Sequence, residues 1–396
     1  MKILVLVPEM IFPANTGGRI VSYKRIQHLS TNNDVYLFGI CDSDDEKIIG
    51  ETHLRKYCKY VHFENRNKSK LHSFLDLWKA PYACVSRWNV HLKKSIIEFY
   101  NRINPDYVMV EFPQMLGCID KQILNSGKVI LGLHNIEYKT MRNLSNSIHG
   151  NFIKKVVFYF ESYRFEKYEE LMYNKSKIKL FTFVSSEDKA FFEEHYHLLN
   201  TYLLPIGTDI IKESHLESEC PHNISFFGKM NYLPNIEAII WFAEKVLPVV
   251  KQKVPDVKLY IVGKDPDAKV KDLGAKKSHI IVTGTVDSVE PFYDKTNIVI
   301  IPLAHGGGVK VKLMEALGHR KLIISTLKGL EGTDFISDKH LLAAYNSEDF
   351  SDYCINALEN IHQYDKIIQG GFDYVAANYS WNSIISKFEK YIEELS

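Results

Sequence analysis

At 396 residues, with 45% apolar and 24% charged side chains, the chain is globular and too long for one ordinary hydrophobic core, so two domains are expected. Lysine and arginine total 49 against 48 aspartates and glutamates, which argues against nucleic-acid binding by bulk charge but leaves room for a local basic pocket. The cysteines (Cys41, Cys58, Cys84, Cys118, Cys220 and Cys354) are scattered without C-x-x-C or metal-knuckle spacing, as fits a reducing cytosol, and no segment reaches membrane-spanning length.

Ile3 to Val7 is a continuous branched apolar run ended by Pro8 and Glu9, which reads as a strand covered on both faces rather than as a signal peptide. A loop with Pro13, Gly17 and Gly18 follows, then a helix over Ile20–Leu29 and a strand over Val35–Ile40. Asp106–Val110 and Val129–Leu133 repeat the strand pattern. Helical periodicity runs from Phe152 to about Asn174. Phe181–Val184 is read as the last strand of this half, with Ser185 or Ser186 capping the next helix near Asp188. The polar stretch from Thr208 to His222 reads as a linker.

A second series then begins. Strands are expected at Ile224–Phe227, Leu259–Val262, Ile280–Thr283, Ile298–Ile301 and Leu322–Ser325, and helices at Ile236–Val250 and Lys310–Leu317. Strands alternating with helices predict parallel sheets with right-handed crossovers. The expected class is α/β: two Rossmann-like domains facing across a cleft. The expected organisation is a first domain over 1–207, a linker over 208–222, a second domain over 223–378 and a terminal helix over 379–396 crossing back to the first domain.

Five places carry candidate chemistry. The loop with Gly17, Gly18 and Arg19 joins a strand to a helix, where backbone amides favour an anion; a tight turn explains it equally well. Gly228 and Lys229 follow the second domain's first strand, a setting for close approach and a point charge, or for a solvated lysine. Gly306, Gly307, Gly308 and Val309 precede a helix bearing Lys312 and Glu315. That is an anion nest with a cation in the first turn and a carboxylate one turn on, suited to a phosphate and a ribose diol. His134 stands at a strand's carboxyl end. The aromatic and basic stretch Phe152–Phe160 suggests a membrane-surface helix, but Glu161, Glu166, Glu169 and Glu170 would oppose anionic lipid. A core-facing helix with a solvated stripe is the expectation there.

Taken together, these segments resemble the retaining glycosyltransferases of family 4, which have the GT-B fold. The resemblance covers nearly the whole chain and is strongest from Ile224 to Phe335. It rests on Phe226–Asn235 with Ala238, Trp241 and Phe242; on Pro255, Leu259 and Ile261–Gly263; on Gly284, Val286, Val289 and Tyr293; on Gly306–Glu315; and on Ser325, Thr326 and Gly329–Gly332. Upstream, Gly17–Arg19 and His134–Glu137 resemble the family's glycine loop and its histidine strand end.

The resemblance implies that Glu315 holds the donor ribose and that Lys229 and Lys312 bind the diphosphate. Gly18 approaches the phosphate or the attacking hydroxyl, and His134 lies near the donor sugar. It further places Gly228, Val286, Gly306, Gly307, Gly308 and Val309 among the donor-binding residues. Such a hexosyltransferase needs no metal and no cofactor beyond a nucleotide-diphosphate sugar as co-substrate. Its partners would be that sugar and a carbohydrate, lipid-linked or protein-linked acceptor, without nucleic acid. The implied role is polysaccharide or glycoconjugate synthesis at a cytoplasmic location, with the inner membrane face as a further partner. The acceptor is expected near the loop after Pro8 and the region from Arg66 to Arg87.

Three departures from the family pattern stand out. Gly307 occupies the place of the first glutamate of the E-x7-E motif. Asn235 lies near the place of the second basic residue after the strand. Arg320 replaces a turn glycine, unless Gly318 shifts the turn. They leave open two alternatives: a nucleotide-sugar epimerase, and a catalytically silent GT-B subunit that binds a nucleotide.

Overall fold

The computed structural model describes residues 1–14, 16–66, 78–147, 152–211, 222–305, 311–331 and 333–395. The chain divides into two units, Met1–Pro205 with Ile385–Ser396, and Ile206–Ile384.

In the first unit, seven parallel strands are found among the described residues: β1 (Lys2–Val7), β2 (Asp34–Cys41), β3 (Tyr60–Asn65), β4 (Tyr107–Glu111), β5 (Val129–Leu133), β6 (Ile178–Phe183) and β7 (Thr201–Leu203). They lie in the order β3-β2-β1-β4-β5-β6-β7. The inner strands β4 and β5 are buried along their whole length, which is why their sequences are apolar apart from Glu111 at the end of β4. In a parallel sheet the loops after the strands share one edge. That edge receives the helix Gly17–Leu29 after β1, Phe112 after β4 and His134 after β5.

The second unit repeats the plan with β8 (Asn223–Phe227), β9 (Lys258–Val262), β10 (Ile280–Gly284), β11 (Ile298–Ile301), β12 (Leu322–Thr326) and β13 (Leu342–Ala344), in the order β10-β9-β8-β11-β12-β13. Each face of β8 joins a different apolar layer, Ile224 and Phe226 on one side and Phe227 on the other. The helix Val311–Gly318 fills the crossover from β11 to β12.

Several expectations change. Strand Phe181–Val184 does not end the first sheet, because β7 pairs beyond β6 through Phe181 and Thr201. β3 and β13 also lie outside the elements read from sequence. The helix over Ile236–Val250 has three parts: an α-helical turn run Leu233–Trp241, a π-helical turn Phe242–Val246 and an α-helix Leu247–Lys253. Pro248 has no N–H to give the preceding turn, and the widened turn absorbs the missing bond. Residues 208–211 are not a free linker: Thr208 N–H donates to Tyr379 and Ile211 N–H to Gly318, while residues 212–221 lie outside the described part. Gly318 does not shift its turn. Arg320 itself takes φ 53°, held by a 2.7 Å bond to Gln369 and by its guanidinium 3.7 Å over the Phe372 ring, against a strain of about 1 kcal/mol.

The helix Phe152–Lys175 corrects a further expectation. It packs into the core from Ser162 onward, through Phe165, Tyr168, Glu169 and Tyr173, whereas Phe152, Tyr159 and Phe160 in its first three turns are exposed and Phe158 is half-buried. The terminal helix runs from Trp381 to Glu394, and its portion from Ile385 on belongs to the first unit.

Candidate active site

In the second unit the site starts with two glycines. Gly228 ends β8 at φ 156° and donates its N–H to Val262 at 3.0 Å; Gly263 ends β9 at φ 157°. A Cβ on Gly263 would lie 1.7 Å from the Gly228 carbonyl oxygen, so the two strand ends touch backbone to backbone and admit no side chain. A Cβ on Gly228 would meet the Asn235 amide at 2.8 Å and the Lys312 ammonium at 3.2 Å.

Those two side chains form one device. Lys312 Nζ donates to Asn235 Oδ1 at 2.8 Å, and Asn235 Nδ2 donates to the Lys229 carbonyl at 2.9 Å. The Lys312 ammonium also sits 4.3 Å over the Phe226 ring. A single amide thus ties the helix carrying Lys312 to the loop carrying Lys229, whose own side chain is exposed. Asn235, which stands near a basic position in the resembling family, serves here as the anchor of a lysine supplied by another helix.

One turn after Lys312, the Glu315 carboxyl is pushed up to about 7. Burial disfavours its charge and Asp209 repels it, against the pull of Lys312. Beneath lies a stack of rings, with Tyr293 4.0 Å from both Phe227 and His319. The Tyr293 hydroxyl is buried without a hydrogen-bond partner among the described residues. Burial lowers His319 to about 4, so it is neutral in the stack. Val286 is half-buried against the apolar layer that contains Phe227, Tyr293 and Leu313. Gly306, Gly307, Gly308 and Val309 lie outside the described residues.

In the first unit His134 is not a lone histidine. Its Nε2 lies 2.6 Å from Glu111 Oε2, and Arg25 Nη1 lies 3.2 Å from the same oxygen. Arg25 Nη2 donates to the Leu204 carbonyl at 2.8 Å. All three side chains are buried. Burial opposes the Glu111 charge, but Arg25 and His134 outweigh it and hold the carboxyl at about 2. A carboxylate only accepts, so the proton of the bond is on His134 Nε2, and Nδ1 is the nitrogen left to accept. Burial, with Arg25 adding to it against Glu111, lowers the histidine's own pKa and favours the neutral ring. Phe112 stacks on the imidazole at 4.1 Å, and a Cβ on Gly18 would approach that phenyl ring at 3.5 Å. Gly18 and His134 therefore flank the same ring. Arg19, by contrast, is held by Glu9 at 2.8 Å and Glu46 at 3.2 Å. Sequence reading missed Arg25 and Glu111; a charge closing the buried apolar strand β4 at Glu111 was the available signal, whereas Arg25 lies in a polar helix that gave none.

Residues 221–360 match the family described as Glycosyl transferases group 1. A Klebsiella pneumoniae protein, described as an uncharacterized 44.6 kDa protein in cps region, is 27% identical over 406 residues, covering 98% of this chain and 99% of its own. Among solved structures, a glycosyltransferase from Rickettsia africae ESF-5 superposes with a TM-score of 0.62 at 16% identity, over 100% of this chain and 98% of that one. Anabaena Alr3699/HepE in complex with UDP-glucose does so with a TM-score of 0.59 at 11% identity, over 100% of both chains. At those identities the two likenesses establish the fold.

Proposed function

We propose, from the premise that residues 221–360 make this chain a group 1 glycosyltransferase with the GT-B fold, that it moves a sugar from a nucleotide-diphosphate donor to a hydroxyl acceptor with retention of configuration. The observation that carries the donor reading is the junction of Gly228, Asn235 and Lys312. It combines open backbone at two strand ends with a cation whose ammonium is positioned by the Asn235 amide beside them. The amino end of the helix Val311–Gly318 adds a favourable dipole. Glu315, one turn further, is placed to accept from a ribose diol. The UDP-glucose held by the Anabaena protein of the same fold supports this donor class.

When the sugar departs, negative charge collects on the diphosphate. Lys312, with Lys229, stabilises that charge more in the transition state than in the ground state. His134 offers a neutral nitrogen, oriented by Glu111 and Arg25, for a hydrogen bond to a sugar hydroxyl. The acceptor reading is supported by a cavity of about 990 Å³ in the first unit, lined by Asn65, Lys79, Trp88, Lys93 and Tyr168 among others. The cps-region relative points to polysaccharide synthesis as the setting.

The test is incubation with a panel of nucleotide sugars, following release of nucleoside diphosphate with and without carbohydrate acceptors. Acceptor-dependent release supports the transferase. A changed sugar formed without acceptor indicates epimerisation, and binding without turnover indicates a silent subunit. Charge stabilisation by lysine and a helix dipole requires no metal, so activity is expected to survive a chelator. Loss that manganese restores would overturn that point.

A further inference from the structure

We propose that Phe112 is a positioning residue of the transfer reaction: its phenyl ring fixes the plane of the His134 imidazole, so that Nδ1 is presented in one orientation. This role rests on the reading of His134 as a hydrogen-bond partner of the sugar. Phe112 follows β4, is half-buried, and has φ 74° and ψ 137°. Asn104 and His197 also have positive φ, but with ψ 72° and 31° they are left-handed caps at helix ends. Phe112 lies outside that well, where a bulky side chain is costly and persists only when its surroundings impose it. Two bonds impose it here. The Phe112 N–H donates to the Gly132 carbonyl at 3.0 Å, which carries the β4–β5 pairing one residue further. Its carbonyl accepts from Met115 at 3.2 Å in the short helix Pro113–Cys118, and Pro113 disfavours helical backbone at the residue before it. Glycine would take this conformation with least strain. The chain carries a phenyl ring instead, and the contacts of that ring are with the site.

The ring lies on the imidazole with centroids 4.1 Å apart and planes at 24°. Its far end faces Gly18, where a Cβ would be 3.5 Å from Cζ. Glu111 grips His134 by Nε2, at one edge, at 2.6 Å. A hydrogen bond at one edge fixes a direction but leaves the imidazole free to tip about it; a flat ring on its face removes that freedom. Room for the pair is also built in, since a Cβ on Gly132 would meet the Glu111 carboxylate at 3.0 Å. The phenyl cover further keeps water from the imidazole. Burial is the largest cause of the lowered His134 pKa; Glu111, from β4, opposes it, and Arg25, from the helix Gly17–Leu29, adds to it. Those two are the charged groups acting on the imidazole among the described residues, and neither is altered by a change at Phe112.

Two variants of the full chain separate the ring from the fold. Phe112→Gly removes the ring and frees the backbone, whereas Phe112→Leu keeps apolar bulk without a flat face. In both, kcat is expected to fall on the order of 10- to 100-fold with donor KM little changed, measured with the nucleotide sugar from which the native chain releases nucleoside diphosphate fastest. The His134 ring is followed by nuclear magnetic resonance in chain with carbon-labelled histidine, its signal being the one missing from His134→Ala. It is expected to titrate about one pH unit higher in Phe112→Gly, because water then reaches the charged form. The neutral imidazole is the form that accepts, so the acid limb of the kcat profile moves to higher pH with it. A ring that only packs would change the denaturation midpoint and leave the titration and the acid limb in place. Native kcat and native titration in both variants, beside an impaired His134→Ala, would overturn the role of Phe112 alone. Native kcat in His134→Ala would overturn the reading of His134 and this role with it.

Discussion

Lys312 is a cation whose position depends on another side chain. Asn235 holds its ammonium at 2.8 Å, next to the strand end at Gly228. Lys312→Ala is expected to lower kcat by one to three orders of magnitude, about 1.4–4 kcal/mol, with a smaller effect on donor KM. Steady-state kinetics with the accepted donor checks this, and a normal kcat would remove Lys312 from the site. Glu315 behaves differently because its pKa sits near 7 instead of the ordinary 4.5. Between those values the folded state keeps a proton that the unfolded chain has released. Stability therefore falls as pH rises through that window and stays lowered above it. Glu315→Gln, which cannot ionise, is expected to melt higher than the native chain at pH 8 and no higher at pH 4.5. Nucleoside diphosphate binding moves the other way: loss of the carboxylate in Glu315→Ala is expected to cost roughly 1.5–3 kcal/mol by calorimetry. A variant with unchanged affinity would leave the ribose without this partner.

At the scale of elements, the site is made where parallel strands stop. Gly228 and Gly263 end neighbouring strands so closely that a methyl group on Gly263 would overlap the Gly228 carbonyl. Gly263→Ala is expected to cost about 1–3 kcal/mol in denaturant unfolding and, by displacing Gly228 from the Lys312–Asn235 pair, to weaken nucleotide binding as well. Unchanged values for both would mean that the strand ends tolerate separation. Much of this was legible beforehand. Buried central strands appear as continuous apolar runs, and a glycine after such a run marks a close approach. The pairing of Asn235 with Lys312 was not legible, because the two are 77 residues apart and no local pattern records which side chain meets which. The same holds for His134, whose partner Arg25 is 109 residues away.

Across the whole molecule, the terminal helix is the element that returns furthest along the chain. Tyr107 donates its hydroxyl proton to the Ile392 carbonyl at 2.6 Å, Asn32 reaches Glu389 at 3.1 Å, and Tyr202 packs against Phe388 and Tyr391. A chain truncated after Ile384 is expected to show faster amide hydrogen exchange in β4 and β7, with β8, β11 and β12 unchanged. Equal acceleration in both units would contradict the assignment of this helix to the first. The sequence by itself determined the α/β alternation, the two successive series and the central strands of each, because a strand or helix buried by its neighbours must carry its period locally. The tertiary structure alone decided the rest. The edge strands β3, β7 and β13 are short or half-covered, so their pattern is weak until a neighbouring strand supplies hydrogen bonds. Whether Phe152 and Phe160 enter a core or meet solvent is fixed by what packs beside them. Whether His134 is isolated or paired is fixed by charges folded in from distant strands, since burial and ion pairing belong to the assembled fold and leave no period in the chain.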